Sequence, residues 1–234
     1  MDVRLKSIQL CTPVLAIDFV NILDRYKVYV YLRAMKVVRN KDKLLAKGLH
    51  VIHEQGLAGA SVRDIAAAAG VPLGSFTNYF PSKTAFGLEI IDRYRQDSRA
   101  MIDATLRNAA LAPLQRLGNY IDATRDFLAQ DGMRNGCLCG NIGAEANAHG
   151  DEVRLKILEV FGADVGEIAA CLKAAVSQNE LSGSIDVEDI AGFIVSSLQG
   201  AFLVAKVQRS PEPVNRFKRI LFSMTLAPVR LATN

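Results

Sequence analysis

Tryptophan is absent from the 234 residues, and runs of β-branched residues are few. Ala, Leu and Gly fill most segments instead, a mixture that argues for helices over strands. Cysteine is sparse. Cys11, Cys137, Cys139 and Cys171 have neither the spacing of a metal finger nor the density of a small secreted disulfide scaffold. Reduced cytoplasmic thiols are the simpler expectation, with no metal and no cofactor. Charge of one sign is also in short supply, because a net +4 is too weak by itself to mark a nucleic-acid binder. The most apolar late run, Ile190 to Ala205, falls short of the roughly 20 residues of a membrane span. It also carries Ser196, Ser197 and Gln199, so a buried helix is expected there rather than an anchor. The N-terminal apolar stretch is broken by Asp18, Asp24, Arg25 and Lys27, and no Ala-x-Ala-like exit follows it. No signal peptide is read there.

What is present is half hydrophobic, enough for a substantial core, and is read as all-α. Residues 1–39 differ from the rest, with a strand-like Tyr26 to Tyr31. They are read as an N-terminal extension of unknown role, or as the product of a start upstream of a natural one at Met35. The basic surplus is local: Arg33, Lys36, Arg39, Lys41, Lys43 and Lys47 stand against Asp42 alone.

From residue 40 the helical period sharpens. Leu44, Ala46, Leu49, Val51 and Ile52 mark one apolar face, and Gly56 is the stop. Ser61-Val-Arg-Asp64 is a Ser-x-x-Asp start for a helix of about two turns that ends at Gly70. Pro72 suits the first position of a third helix, which closes before Pro81, and Ser82-Lys83 opens a fourth through Tyr94. Further helices are predicted near 100–110, 113–130, 138–148, 151–178, 186–208 and 213–227. Two short helices joined by a tight turn can lay the second in a major groove while the first braces it. The small residues Ala66 to Ala69 permit a close crossing, and Gly70 supplies the turn.

The order Ser-Val-Arg-Asp-Ile-Ala-Ala-Ala-Ala-Gly-Val, then Gly-Ser-Phe-Thr-Asn-Tyr-Phe-Pro-Ser-Lys-Thr-Ala-Phe, closely resembles the TetR family signature over about residues 41–90. It departs at Thr77, where the family often has Tyr. The resemblance implies a three-helix DNA-binding domain at 40–99 with its connecting helix. A larger ligand-binding and dimerisation domain would follow at 100–234. It implies double-stranded operator DNA, a small-molecule effector and a second copy of the chain as partners. Leu73, Ser75, Thr77 and Asn78 would stand near base edges, with Leu73 able to touch a thymine methyl. Tyr79 and Lys83 would bind phosphate, aided by Ser61 and the free N–H groups of the second and fourth helices. Lys41 and Lys43 add general attraction.

In the second half, Asn135-Gly-Cys-Leu-Cys-Gly-Asn141-Ile-Gly-Ala-Glu145 resembles a subset of these regulators that carry Gly-Cys-Leu and then Gly-Asn at a pocket helix. A helix N-terminus stabilises a thiolate, so Cys137 is read as a candidate electrophile sensor. Steps of four from it reach Asn141, Glu145 and His149, a stripe suited to lining a pocket. The other reading makes Cys137 and Cys139 ordinary buried cysteines and Glu145–His149 a surface pair. A cysteine enzyme would need Cys137 as nucleophile and His149 as base, about three turns apart on one helix. A purely structural helical protein would leave the Ser61 to Lys83 order unexplained. Gly192, Ser196 and Gly200 recur at spacing four on a helix apolar nearly all round, which predicts burial on several sides. Val214, Phe217, Leu221 and Met224 give the next helix a stripe with which the pair can form a four-helix bundle across a two-fold axis.

Overall fold

The structure, a computed structural model, describes residues 40–226. The strand-like Tyr26 to Tyr31 and the alternative start at Met35 lie outside them. By compactness the chain divides into two units, 1–42 and 43–234. Of the first, residues 40–42 are described and are helical; Lys41 belongs to it. The second is helical throughout, with no strand among the described residues.

Helix α1 (residues 43–59) buries Leu44, Val51 and Ile52 of the predicted face, whereas Leu49 is half-buried and Ala46 exposed. Its Gly48 lets the Phe86 ring seat against the backbone, for a Cβ there would come within 2.4 Å of Phe86 Cζ. Gly56 takes φ +77, a left-handed conformation, yet the helix runs on to residue 59, three residues past the expected stop. Helix α2 (Val62–Ala69) starts on a capping box: Ser61 Oγ accepts from Asp64 N, and the Asp64 carboxylate accepts from Ser61 N. It stops at Gly70 (φ 62, ψ 37). Helix α3 (Leu73–Tyr79) follows, with Pro72 one position earlier than expected, as its N-cap. Phe80 is extended, as the residue before Pro81 must be. Phe76, Phe80 and Phe86 pack with ring centroids 4.8–5.2 Å apart, the aromatic centre of this part of the fold.

Helix α4 (Lys83–Ala104) is capped by Ser82, whose hydroxyl accepts from Ala85 N at 3.0 Å. It runs unbroken through the charged stretch around Arg99, so the separate helix expected at 100–110 does not exist. Charge interrupts the apolar stripe there without interrupting the backbone: Arg93 pairs with Asp97 one turn on, and Arg95 reaches across to Asp164. The rest are α5 (Pro113–Ala129), α6 (Leu138–Ala144), α7 (Ala146–Ser177, interrupted at Gly150), α8 (Val187–Gln208) and α9 (Glu212–Ile220), which continues as a π turn over Leu221–Thr225.

Two cores result. One gathers α1 to α4 and also takes Leu138, Cys139 and Ile142 of α6 and the front of α7. The other lies among the end of α4, α5, the rest of α7, α8 and α9. Helix α6 is therefore built into the core of the N-terminal helices. Helix α8 differs from expectation. It buries Ala191, Ile194, Leu198 and Phe202 on one side, but Phe193, Leu203, Val204 and Val207 stand exposed on the other. Val214 and Leu221 face the core, so the outward apolar residues here are Ile220 and Met224.

Candidate DNA interface and effector pocket

The buried phenylalanines fix which side of α3 faces out. Phe76 is held inside, and Leu73, Gly74, Thr77 and Asn78 are exposed in two adjoining i, i+4 rows. Ser75 and Tyr79 are half-buried at the edge of that face. Thr77 Oγ1 donates back to Gly74 O at 3.1 Å. A Cβ at Gly74 would meet nothing within 4 Å, so this position is open to a close approach, a feature the sequence reading passed over. Lys43 is exposed at the start of α1.

Two expected phosphate contacts have other partners. The Asp64 carboxylate takes both the hydroxyl (2.5 Å) and the N–H of Ser61, which lowers the Asp64 pKa through the Ser61 hydroxyl bond first. A phosphate at this helix end would meet a fixed negative charge. Lys83 Nζ donates to Ala58 O and Ala60 O, both at 3.0 Å. It clasps the corner between α1 and α2, with one of its three N–H groups left over.

The stripe from Cys137 to His149 is not one helical face. Helix α6 ends at Ala144, and Glu145 (φ −94, ψ 10) is the joint to α7. Its four residues are distributed accordingly. Cys137 is the N-cap of α6, half-buried, with its Sγ accepting from Gln199 Nε2 at 3.6 Å. Asn141 donates to Asn135 O at 2.7 Å. The Glu145 carboxylate turns toward α1, where it accepts from Ala58 N at 2.9 Å and pairs with His149 Nε2 at 2.9 Å. The pair is therefore an internal tether, and the nucleophile–base pair of the enzyme reading is not formed. The low thiol pKa expected of Cys137 is not found either: burial raises it, outweighing the bonds from Gly140 and Gln199 that lower it. Cys139 is raised further, again by burial.

Cys137 lines a cavity of only 60 Å³ together with Tyr94, Arg95, Tyr120, Asp164 and Gln199. Beside it lies a cleft of 510 Å³ between α1, α4 and the end of α5, where His53 donates from Nε2 to Gly136 O at 2.7 Å and stands edge-on to Tyr94. Apart from Cys137, sequence reasoning assigned none of these wall residues to a pocket; they are scattered from 53 to 199 and share no motif.

A helix-turn-helix with a free recognition face, fused to a helical body enclosing cavities, is the architecture of a ligand-responsive DNA-binding regulator. Residues 44–90 match the model for bacterial regulatory proteins of the tetR family, and residues 113–221 match the tetracyclin repressor-like C-terminal domain. The HTH-type transcriptional repressor DhaR of Mycobacterium sp. (strain GP1) is 34% identical over 194 residues, covering 83% of this chain and 96% of that protein. The transcriptional regulator AcuR of Cereibacter sphaeroides is 34% identical, covering 76% and 81%. The crystal structure of a regulatory protein TetR from Rhodobacter sphaeroides superposes with a TM-score of 0.74 at 33% identity, covering 76% and 95%. The chain belongs to the TetR family of DNA-binding transcriptional regulators.

Proposed function

We propose that this chain is a cytoplasmic repressor that grips a palindromic operator as a homodimer and leaves it when a small molecule enters the body of the protein. Residues 40–99 serve as the reading head and 100–234 as the effector and dimerisation part. The carrying observation is the outward face of α3: Leu73, Gly74, Thr77 and Asn78 are exposed while Phe76 beneath them is 2% exposed, so packing accounts for none of the four. Asn78 has the donor and acceptor pair that reads adenine, and Leu73 and Thr77 supply the methyl contacts that suit thymine. The name of the DhaR relative supports repression.

Operator selection from random duplexes, followed by fluorescence anisotropy, tests this. A palindromic site is expected. Asn78→Ala should change the preferred base at one position, at a cost of about 1–3 kcal/mol on the native site. Selection that enriches no sequence, or an Asn78→Ala protein with unaltered preference, overturns the assignment.

A further inference from the structure

We propose that the effector occupies the 510 Å³ cleft walled by α1, α4 and the end of α5, and that it is a neutral, largely apolar molecule whose hydrogen-bond donor is met by His53. The inference rests on the repressor reading above and specifies its ligand.

Volume separates the cleft from the chamber at Cys137, and position separates it from a 630 Å³ hollow beside α7 and α8, which touches no residue of α1 to α4. Organic ligands take pockets of about 300–1,000 Å³. The chamber at Cys137, with 60 Å³, is several times too small, whereas the cleft is in range. The two share Tyr94, Ser98, Met101, Phe127 and Leu128, so those side chains form the partition between them.

The lining sets the ligand's chemistry. Leu49, Met101, Phe127 and Leu128 make an apolar wall. The charged groups on the border are already engaged. Arg93 is paired with Asp97, and the Asp131 carboxylate accepts the backbone N–H groups of Arg134 and Asn135 at 3.0 and 3.1 Å. The Asp131 carboxylate has no ion-pair partner among the described residues, so its charge turns an anionic ligand away, and two imidazoles remain, His50 and His53. A carbonyl oxygen only accepts, so the bond to Gly136 O puts the proton of His53 on Nε2. Nδ1 then carries a lone pair. It has no protein partner, and no side-chain nitrogen or oxygen of a non-exposed described residue is both sealed from solvent and unbonded. A hydroxyl or N–H on the ligand completes it.

The position of the cleft bears on regulation. Ala46, Leu49, His50 and His53 belong to α1, the first helix of the DNA-binding head, and Phe127 to Asp131 close the opposite side. An occupant therefore touches the head directly and favours whichever spacing of α1 from α5 fits it best.

N-Phenyl-1-naphthylamine, a neutral arylamine that fluoresces in apolar surroundings, is the probe. The full-length protein should bind it at one site per subunit. Ala46→Trp, which fills the cleft from an exposed position of α1, should abolish binding, while Leu155→Trp on the exposed side of α7 should not. In competition, 2-naphthol should displace the probe about fivefold better than 2-methoxynaphthalene, the factor of one net hydrogen bond. His53→Phe should erase that preference. Saturating 2-naphthol should weaken binding to the selected operator at least about tenfold in wild type and not in Ala46→Trp. Probe binding that survives Ala46→Trp, tighter binding of 2-naphthoate than of 2-naphthol, or occupancy with unchanged operator affinity each overturns the inference and leaves the repressor reading standing. A protein that selects no operator overturns the repressor reading itself, whatever the probe does.

Discussion

At Cys137 two residue-scale effects oppose each other, and their sizes decide the chemistry. A helix N-terminus lowers a thiol pKa through its partial positive charge, an effect confined to the first turn. Helix α6 has seven residues, and the sulfur it caps is packed among Tyr94, Val160 and Phe202 in the wall of the inner cavity. Desolvation of the thiolate wins, and the pKa rises. Iodoacetamide at pH 7.5 should therefore modify Cys137 no faster than a free cysteine model, and labelling should accelerate in urea. Peptide mass spectrometry over a time course measures this; selective rapid labelling of Cys137 in the folded protein would support the electrophile-sensor reading instead. The motif made the helix start legible in the sequence. It did not report the side chains arriving from α4, α7 and α8, and these set the sign of the shift.

Elements are where the sequence reading succeeds and fails for identifiable reasons. Stops and caps are local chemistry, so Ser61, Gly70, Pro81 and Ser82 fall at the expected ends of their helices, whereas α1 runs three residues past Gly56. The continuity of α4 was missed because its polar stretch is sustained by Arg93–Asp97 and by the distant Asp164, and only the first of these lies nearby in sequence. The corner after α1 shows the same mixture. Its turn is held from α4 by Lys83 and from the α6–α7 joint by Glu145, whose Oε1 would lie 2.0 Å from a Cβ on Gly56. Lys83 is therefore part of the head's own architecture. Lys83→Ala should lower the melting temperature of the DNA-free protein by about 2–4 °C, the shift given by a loss of about 1 kcal/mol in a domain of this size. A pure phosphate contact would leave the melting temperature unchanged, so differential scanning fluorimetry without DNA separates the roles.

At the scale of the whole molecule, α8 poses the largest unbalanced term. With 22 residues and a long apolar window, it is long and apolar enough to cross a membrane by length and composition alone. Six of its residues are nevertheless buried in the protein core. The opposite side carries Phe193, Leu203, Val204 and Val207, with Leu203 61% and Val207 76% exposed. Gly192 and Gly200 have open space where a Cβ would stand, so nothing among the described residues requires glycine at either place. On the homodimer proposed above, a second copy would supply the reason, because small residues allow two such helices to cross closely and cover each other's apolar side chains. Leu203→Arg tests this with little disturbance inside the subunit, since the side chain already faces out. A charge in the centre of an isologous interface is repeated by symmetry and must be desolvated twice. Light scattering at micromolar concentration should show a wild-type dimer and a Leu203→Arg monomer that keeps its helical circular dichroism. The monomer should lose most affinity for the full operator, because two recognition helices about 34–36 Å apart, or a multiple of that, no longer bind as one unit. A Leu203→Arg protein that stays dimeric and keeps full operator affinity would mean that the exposed side of α8 serves something other than the pairing of two copies.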